Sequence, residues 1–337
     1  MDAVLVSGGA GYIGSHVVKR LVEAGRPVVV MDNETTGHRE TVGAVEELTG
    51  WRVPYITGDV GDGEAVRRTV EEYRVGAVMH FAAKSVVAES VRNPEVYFTE
   101  NVAKGIAFFR ALCEAGVRRI VLSSTAAVYG NPERVPIPED HPVRPINPYG
   151  ASKVMLEQVL GWLETTFPIR WVALRYFNAA GADPSGRLGE RHDPETHLIP
   201  IVLQAALGQR ERMTVFGTDY GTPDGTCIRD YIHVLDLADA HLLALAALEG
   251  GHPSGVFNVG TGRGHSVLEV IRVAEEVSGR KVPVEYGARR PGDPPVLVAD
   301  GSRLRELGWK PRYGLRDIVA SAWAWHSGDV GDAPRRV

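Results

Sequence analysis

The chain has 337 residues, 44% hydrophobic and 23% charged, enough to bury the core of one large or two modest domains. Its formal net charge of -5 argues against non-specific nucleic-acid binding, yet leaves room for a few aimed arginines on a small anion. No apolar run reaches the roughly 18 residues of a membrane span, the first residues lack a basic signal region, and Cys113 and Cys227 show no metal or redox spacing, so a soluble protein of the reducing cytoplasm is expected.

In chain order, compact apolar runs at 3–6, 28–31, 77–81 and 120–122 alternate with amphipathic stretches at 13–24, 64–73 and 102–115. A further helical pattern covers 152–163 and a further strand 171–176. Short runs without polar alternation read as strands buried on both faces, and helices between them imply parallel crossovers. After about Phe177 the chain becomes rich in Pro, Gly and Asp, as at 182–186 and 217–225. The helical pattern 234–248 and the run 256–259 are expected to return to the first part, and the tail 328–337 to fray. The fold class is therefore α/β, a Rossmann-type doubly wound parallel sheet with a smaller C-terminal α/β substrate lobe. The first domain is placed at 1–176, with parts of about 230–260 returning to it, and the second at 177–337.

The first strand feeds Ser7-Gly8-Gly9-Ala10-Gly11-Tyr12-Ile13-Gly14, with glycines at 8, 11 and 14. Gly8 suits a tight turn, Gly11 lets backbone approach a pyrophosphate, and Gly14 lets the helix pack closely. The phosphates then lie on the free N–H groups of the helix start. Asp32, 18 residues after Gly14, can accept from adenosine ribose hydroxyls and would repel a 2′-phosphate, which selects NAD over NADP. Asp59 and Val60 follow the third strand, where the adenine edge would lie.

Pro148-Tyr149-Gly150-Ala151-Ser152-Lys153 puts a phenol and an ammonium four residues apart, on one face of a helix. A free phenol titrates near pH 10, too high for a base in the cytoplasm. The ammonium and an oxidised nicotinamide would each favour the phenolate. Only 6 of the 37 basic residues are lysine, which makes Lys153 the more informative. Upstream, Ser123-Ser124-Thr125 ends a strand in hydroxyls, and Thr125 can relay the proton of a reacting oxygen to Tyr149. A structural reading of these residues, as a surface pair and a capping cluster, stands beside the catalytic one.

Together these motifs resemble the extended short-chain dehydrogenase/reductase family, from Val4 to about Trp325. The ordered series includes His80-Phe81-Ala82-Ala83, Asn101, Leu174-Arg175-Tyr176-Phe177-Asn178, Phe216-Gly217-Thr218-Asp219-Tyr220, Arg229-Asp230-Tyr231-Ile232-His233-Val234 and Arg289-Arg290-Pro291-Gly292-Asp293. Nearest in motif are members that invert C4 of UDP-hexoses. The resemblance implies an isomerase that interconverts UDP-glucose and UDP-galactose through a 4-keto sugar, on tightly bound NAD, as a homodimer in carbohydrate metabolism.

By the same resemblance, Thr125, Tyr149 and Lys153 are the catalytic set. The cofactor would further meet Tyr12, Ile13, Asn33, Phe81, Ala82 and Ala83, and also Asn101, Ser123 and Tyr176. The UDP-sugar would meet Thr125, Tyr149, Asn178, His197, Leu198, Thr214, Phe216 and Tyr231. Arg229 and Arg290 would clamp its diphosphate through forked guanidinium donors, and Asp293 would hold a ribose. Lys84 stands one residue from the family's lysine and is not taken as a contact. His197 replaces an Asn near the base, which leaves the base less defined than the sugar chemistry. Leu297 stands where a bulky Tyr excludes 2-acetamido sugars, so UDP-N-acetyl hexosamines are possible further substrates.

Related 4,6-dehydratases carry an Asp-Glu pair after the strand-end Thr, where this chain has Ala126 and Ala127, so no group is placed to eliminate water. Two other readings remain: an NAD-dependent dehydrogenase that releases its cofactor each cycle, and a redox-sensing binding protein. No metal is expected, because His192 and His197 can approach one another but no carboxylate or third His is seen to complete a set.

Overall fold

The computed structural model describes residues 2–290 and 293–328. The valine-rich runs form strands with both faces buried: β1 (Ala3–Ser7) and β2 (Val28–Asp32) contain no exposed residue. α1 (Tyr12–Glu23) joins them, α2 (Arg39–Thr49) leads to β3 (Tyr55–Thr57), and α3 (Gly63–Tyr73) leads to β4 (Val75–His80). Then come α4 (Val87–Arg92), α5 (Pro94–Tyr97), a π-helix (Phe98–Ala103), α6 (Lys104–Glu114) and β5 (Arg119–Thr125). A 3-10 turn (Ala126–Tyr129), α7 (Pro148–Glu164) and β6 (Arg170–Tyr176) follow.

The strands pair in the order β10-β6-β5-β4-β1-β2-β3, all parallel, where β10 (Gly255–Val259) comes from far along the chain. The order reverses at β1, which opens a crevice at the strand C-termini between β1 and β4. Helices cover both faces. Val17 and Leu21 of α1 and Val45 of α2 share one core with Leu237, Ala244 and Leu248 of α9 (Val234–Glu249). Val66 of α3, Phe108 and Leu112 of α6, and Leu156 and Leu160 of α7 fill the other.

The remaining elements build a second core from α8 (Leu198–Ala206), β8 (Met213–Phe216), α10 (Val267–Ser278) and α12 (Leu315–Ser327). Beside it, β9 (Ile228–His233) pairs with β7 (Asn178–Ala180), β11 (Gly264–Ser266) and β13 (Val296–Leu297), while β12 (Val284–Gly287) pairs with β8. A short α11 (Ser302–Glu306) packs under β10.

Two elements differ from expectation. The helix expected over 102–115 is a π-helix running into α6, a departure from the 3.6 period that apolar spacing does not reveal. α7 begins four residues before the expected 152, because Pro148 takes its first turn and the Asn147 side chain accepts from Gly150 N at 2.8 Å. Tyr149 therefore sits inside the helix. The expected fraying beyond residue 328, and Pro291-Gly292 of the arginine motif, lie outside the described residues.

A buried ion pair fixes β5 and β6 against α7. The Arg175 guanidinium meets both carboxylate oxygens of Glu157, at 3.0 and 2.6 Å, and the Ser124 hydroxyl donates to the same carboxylate at 2.6 Å. Arg175 also donates to the Tyr129 hydroxyl, which donates on to Asn258 Oδ1 of β10. Both charged side chains are only 7% exposed, so removing one partner strands the other charge in low dielectric. Glu157→Gln is expected to cost about 3 kcal/mol, read as a lower urea midpoint. An unchanged midpoint would show that the pair does not hold this layer together.

Candidate active site

The glycine turn has the backbone geometry that a pyrophosphate requires. Gly8 has φ +76, and a side-chain carbon there would lie 2.5 Å from Ala82 N. A carbon on Gly14 would lie 2.2 Å from Gly8 O, so only glycine lets α1 pack on the turn. Gly11 is the N-cap of α1 and offers no side-chain cap, which leaves the first-turn N–H groups as donors for an anion. Ile13 follows Tyr12 in the first turn of α1, and Phe81, Ala82 and Ala83 leave β4 directly opposite Gly8. The residues present thus fit a dinucleotide.

Asp32 closes β2 with its carboxylate held by Ala10 N at 3.0 Å and Glu34 N at 2.8 Å. Each oxygen keeps acceptor capacity for a ribose hydroxyl. Asn33 donates to Asp59 at 3.1 Å, so the expected adenine-side residues do meet, beside Val60. Lys104 pairs with the same Asp59 at 2.7 Å and was missed from sequence, since its partner lies 45 residues away. Asn101 uses both its N–H bonds, on Lys84 O and Ser152 Oγ, while its Oδ1 accepts from Lys84 N. It thereby braces the loop after β4 against α7.

Thr125 ends β5, and Tyr149 and Lys153 stand one helical turn apart on α7. All three are buried. Lys153 Nζ donates to Ser123 O at 2.9 Å. Burial pushes the Lys153 ammonium down to about 8, with Glu157 opposing. Burial pushes the Tyr149 phenol above its ordinary value, reinforced by Tyr176 and opposed by a hydrogen bond from Thr125. The lowering expected from a neighbouring ammonium is not found: the Thr125 hydrogen bond lowers the phenol, and burial outweighs it. Tyr176 shares a 2.7 Å hydrogen bond with Ser123, and Tyr97, which sequence reading passed over, sets its ring edge-on to Tyr149 with centroids 6.4 Å apart. Ala126 and Ala127 stand in the turn after Thr125, so neither position there carries an acid or a base.

On the second lobe, register brings the expected substrate residues together. Asn178 pairs with Tyr231 and Leu297 with Arg229, across β9 and its neighbours. Arg229 and Asp293, expected to act on different parts of the nucleotide, form an ion pair with each other. The Arg290 guanidinium lies over the Phe216 ring at 4.0 Å, and Thr214 donates to Glu285 at 2.7 Å, on β8. His197 is the N-cap of α8, directly before Leu198.

The ground for expecting no metal, that no carboxylate joins the two histidines, does not hold. His192 and His197 do approach, with ring centroids 5.0 Å apart, but two carboxylates join them: Glu190 and Glu195 bring ligand atoms within 4.8 Å of all the others. The four lie on an irregular segment between β7 and α8, where neither helical nor strand periodicity signals who meets whom. Among the described residues, no helix is long and apolar enough to cross a membrane.

Residues 4–260 match the NAD dependent epimerase/dehydratase family. The chain is 51% identical over 329 residues to a UDP-glucose 4-epimerase of Streptococcus mutans, covering 96% of this chain and 97% of that protein. A crystal structure of UDP-glucose-4-epimerase from Stenotrophomonas maltophila, with bound NAD and formylated UDP-arabinopyranose, superposes with a TM-score of 0.95 at 41% identity, covering 97% and 98% of the two chains. The UDP-Glc/GlcNAc 4-epimerase of Campylobacter jejuni superposes with a TM-score of 0.85 at 40% identity, covering 97% and 100%.

The Lys153 shift fixes a pH dependence. Its folded value of about 8 lies below the ordinary 10.5, so the unfolded chain binds more protons between these values and stability rises with pH across that window. The cost of burying the charge is fullest below pH 8, roughly 3 kcal/mol at most. Lys153→Met should therefore gain stability relative to the parent at pH 7, and lose that gain towards pH 10. Thermal melts across this range check it, and a gain that grows with pH would contradict the buried-ammonium assignment.

Proposed function

The chain belongs to the NAD dependent epimerase/dehydratase family, and from that premise we propose that it inverts C4 of UDP-hexoses, interconverting UDP-glucose and UDP-galactose. The enzyme is an isomerase that uses NAD. The observation that carries this reading is the buried trio of Thr125, Tyr149 and Lys153 at the C-terminal end of β5, beside the glycine turn and without a dehydratase acid–base pair at Ala126 and Ala127. Residues 1–176, with α9 and β10, hold the cofactor. The part from 177 onward holds the nucleotide sugar.

Gly8, Gly11 and the start of α1 would hold the pyrophosphate and Asp32 the adenosine ribose. Bound there, NAD would supply the acceptor and then the donor of the hydride at C4, and the positive charge of its oxidised ring would favour the Tyr149 phenolate against burial. Tyr149 takes the proton of the C4 hydroxyl as that carbon becomes a ketone, and Thr125 passes the proton along. Lys153, anchored on Ser123 O, holds positive charge near the forming phenolate and fixes the turn of α7 that carries Tyr149. The 4-keto sugar then presents its other face while its nucleotide stays anchored, and Tyr149 returns the proton. Net redox change is zero, so the cofactor is retained from one turnover to the next.

Arg229, Arg290 and Asn178 supply donors for the diphosphate, with Asp293 paired to Arg229 beside them. Leu297 packs against the buried cluster of Val128, Tyr129, Ile137, Phe177 and Ala299, which includes the turn after Thr125. A side chain of that size leaves room beside C2, so UDP-N-acetylglucosamine is a second substrate. The protein works in the cytoplasm as a homodimer. Ile106 on α6 and Met155 on α7 are exposed apolar residues on the two helices that would pair between subunits.

Tyr149→Phe should retain NAD and lose at least about a hundredfold in turnover, within the range that general acid–base catalysis supplies. Near-parental turnover with UDP-galactose would remove Tyr149 from the chemistry. Leu297→Tyr should suppress conversion of the acetamido sugar and spare UDP-galactose. Equal loss on both substrates would show that position 297 does not read C2.

A further inference from the structure

Glu190, His192, Glu195 and His197 form a compact set beside the glycine turn, and the proton chemistry at C4 does not use it. His197 Nδ1 lies 2.9 Å from both Glu190 Oε1 and Glu195 Oε1, and His192 Nδ1 lies 3.2 Å from Glu190 and 3.7 Å from Glu195. A tetrahedral zinc with bonds of about 2.0–2.1 Å sets neighbouring ligand atoms about 3.3 Å apart. The four imidazole–carboxylate distances bracket that spacing, and all the ligand atoms lie within 4.8 Å of one another. They offer two imidazole nitrogens and two carboxylates, a donor set that neutralises a divalent ion and suits zinc above magnesium.

An independent observation points the same way. His192 Nδ1 is sealed from solvent and has no hydrogen-bond partner, because its 3.2 Å approach to Glu190 misses hydrogen-bond geometry. An orphaned buried nitrogen is costly unless something else takes its lone pair. The two carboxylates are 5% and 3% exposed, so little water screens their charges. Outer contacts hold them in place. Thr196 N and His197 N both donate to Glu195 Oε1 at 2.8 Å, and Trp325 Nε1 donates to Glu190 O at 2.9 Å. His197, 47% exposed on its side chain, leaves a path for entry.

We propose that Glu190, His192, Glu195 and His197 bind one divalent cation of the zinc class. Coordination uses the ring-nitrogen lone pairs, so any proton on a coordinating nitrogen leaves for solvent when the ion binds. The ion performs no step on the sugar. It ties the irregular segment between β7 and α8 to the Tyr12 turn, whose hydroxyl donates to Gly181 O at 2.6 Å and whose ring meets His192 edge-on at 6.5 Å.

The test uses the NAD-loaded protein, dialysed free of metal and titrated with zinc chloride, with magnesium chloride in parallel. Metal content and calorimetry should give one zinc per chain and no magnesium at comparable concentrations. Cobalt(II) in its place should show the visible bands of tetrahedral coordination. His192→Ala and Glu190→Gln should each weaken zinc binding by more than the roughly tenfold that loss of an outer partner costs, with circular dichroism confirming that they fold. A parent protein that retains no stoichiometric zinc, with both histidines titrating as imidazolium partners of the carboxylates, would overturn the proposal. So would zinc binding equal in parent and folded variants.

Discussion

The hydrogen bond from the buried Lys153 ammonium to the Ser123 carbonyl, 2.9 Å long, is the contact on which the site depends. It locks the first turns of α7 to the end of β5, which fixes Tyr149 relative to Thr125. The same burial sets their chemistry. It lowers the lysine to about 8 and raises the phenol, so neither group has its solution value in the dry site. A phenol held above its ordinary value keeps its proton, so positive charge from a bound oxidised cofactor would be needed to favour the phenolate.

Behind that contact stand two layers of support. The Arg175–Glu157 pair joins β6 to α7, and Asn101 on the π-helix joins the loop after β4 to Ser152. Each touches a neighbour of the buried trio, Ser124 beside Thr125 or Ser152 beside Lys153, and spends its polar atoms on position. Glu157 is one helical turn beyond Lys153 and adds negative charge that opposes the lowering of the ammonium. The pair that holds the layers together therefore also tunes the site.

The sequence carried the sheet well because β1 and β2 are short runs of Val, Leu and Met without polar alternation, β1 ending on a glycine turn and β2 starting after Pro27. The glycine turn and the Tyr149–Lys153 spacing were legible for a similar reason: local geometry dictates which residue types fit. Return of 256–259 to the sheet was read from one apolar run, and β10 does pair with β6. What stayed hidden was set by distant neighbours. Lys104 finds Asp59, Tyr97 finds Tyr149, and Glu190 and Glu195 close on two histidines only because an irregular segment folds back on itself. The sign of the Tyr149 shift was hidden too, since spacing shows the ammonium but not how thoroughly water is excluded.

The central claim, that C4 is oxidised and reduced again within one site on one retained cofactor, is tested most directly by UDP-galactose carrying deuterium at C4. The account predicts UDP-glucose with the deuterium still at C4 and no reduced cofactor in free solution. Loss of the label to water, or accumulation of free labelled NADH, would contradict it.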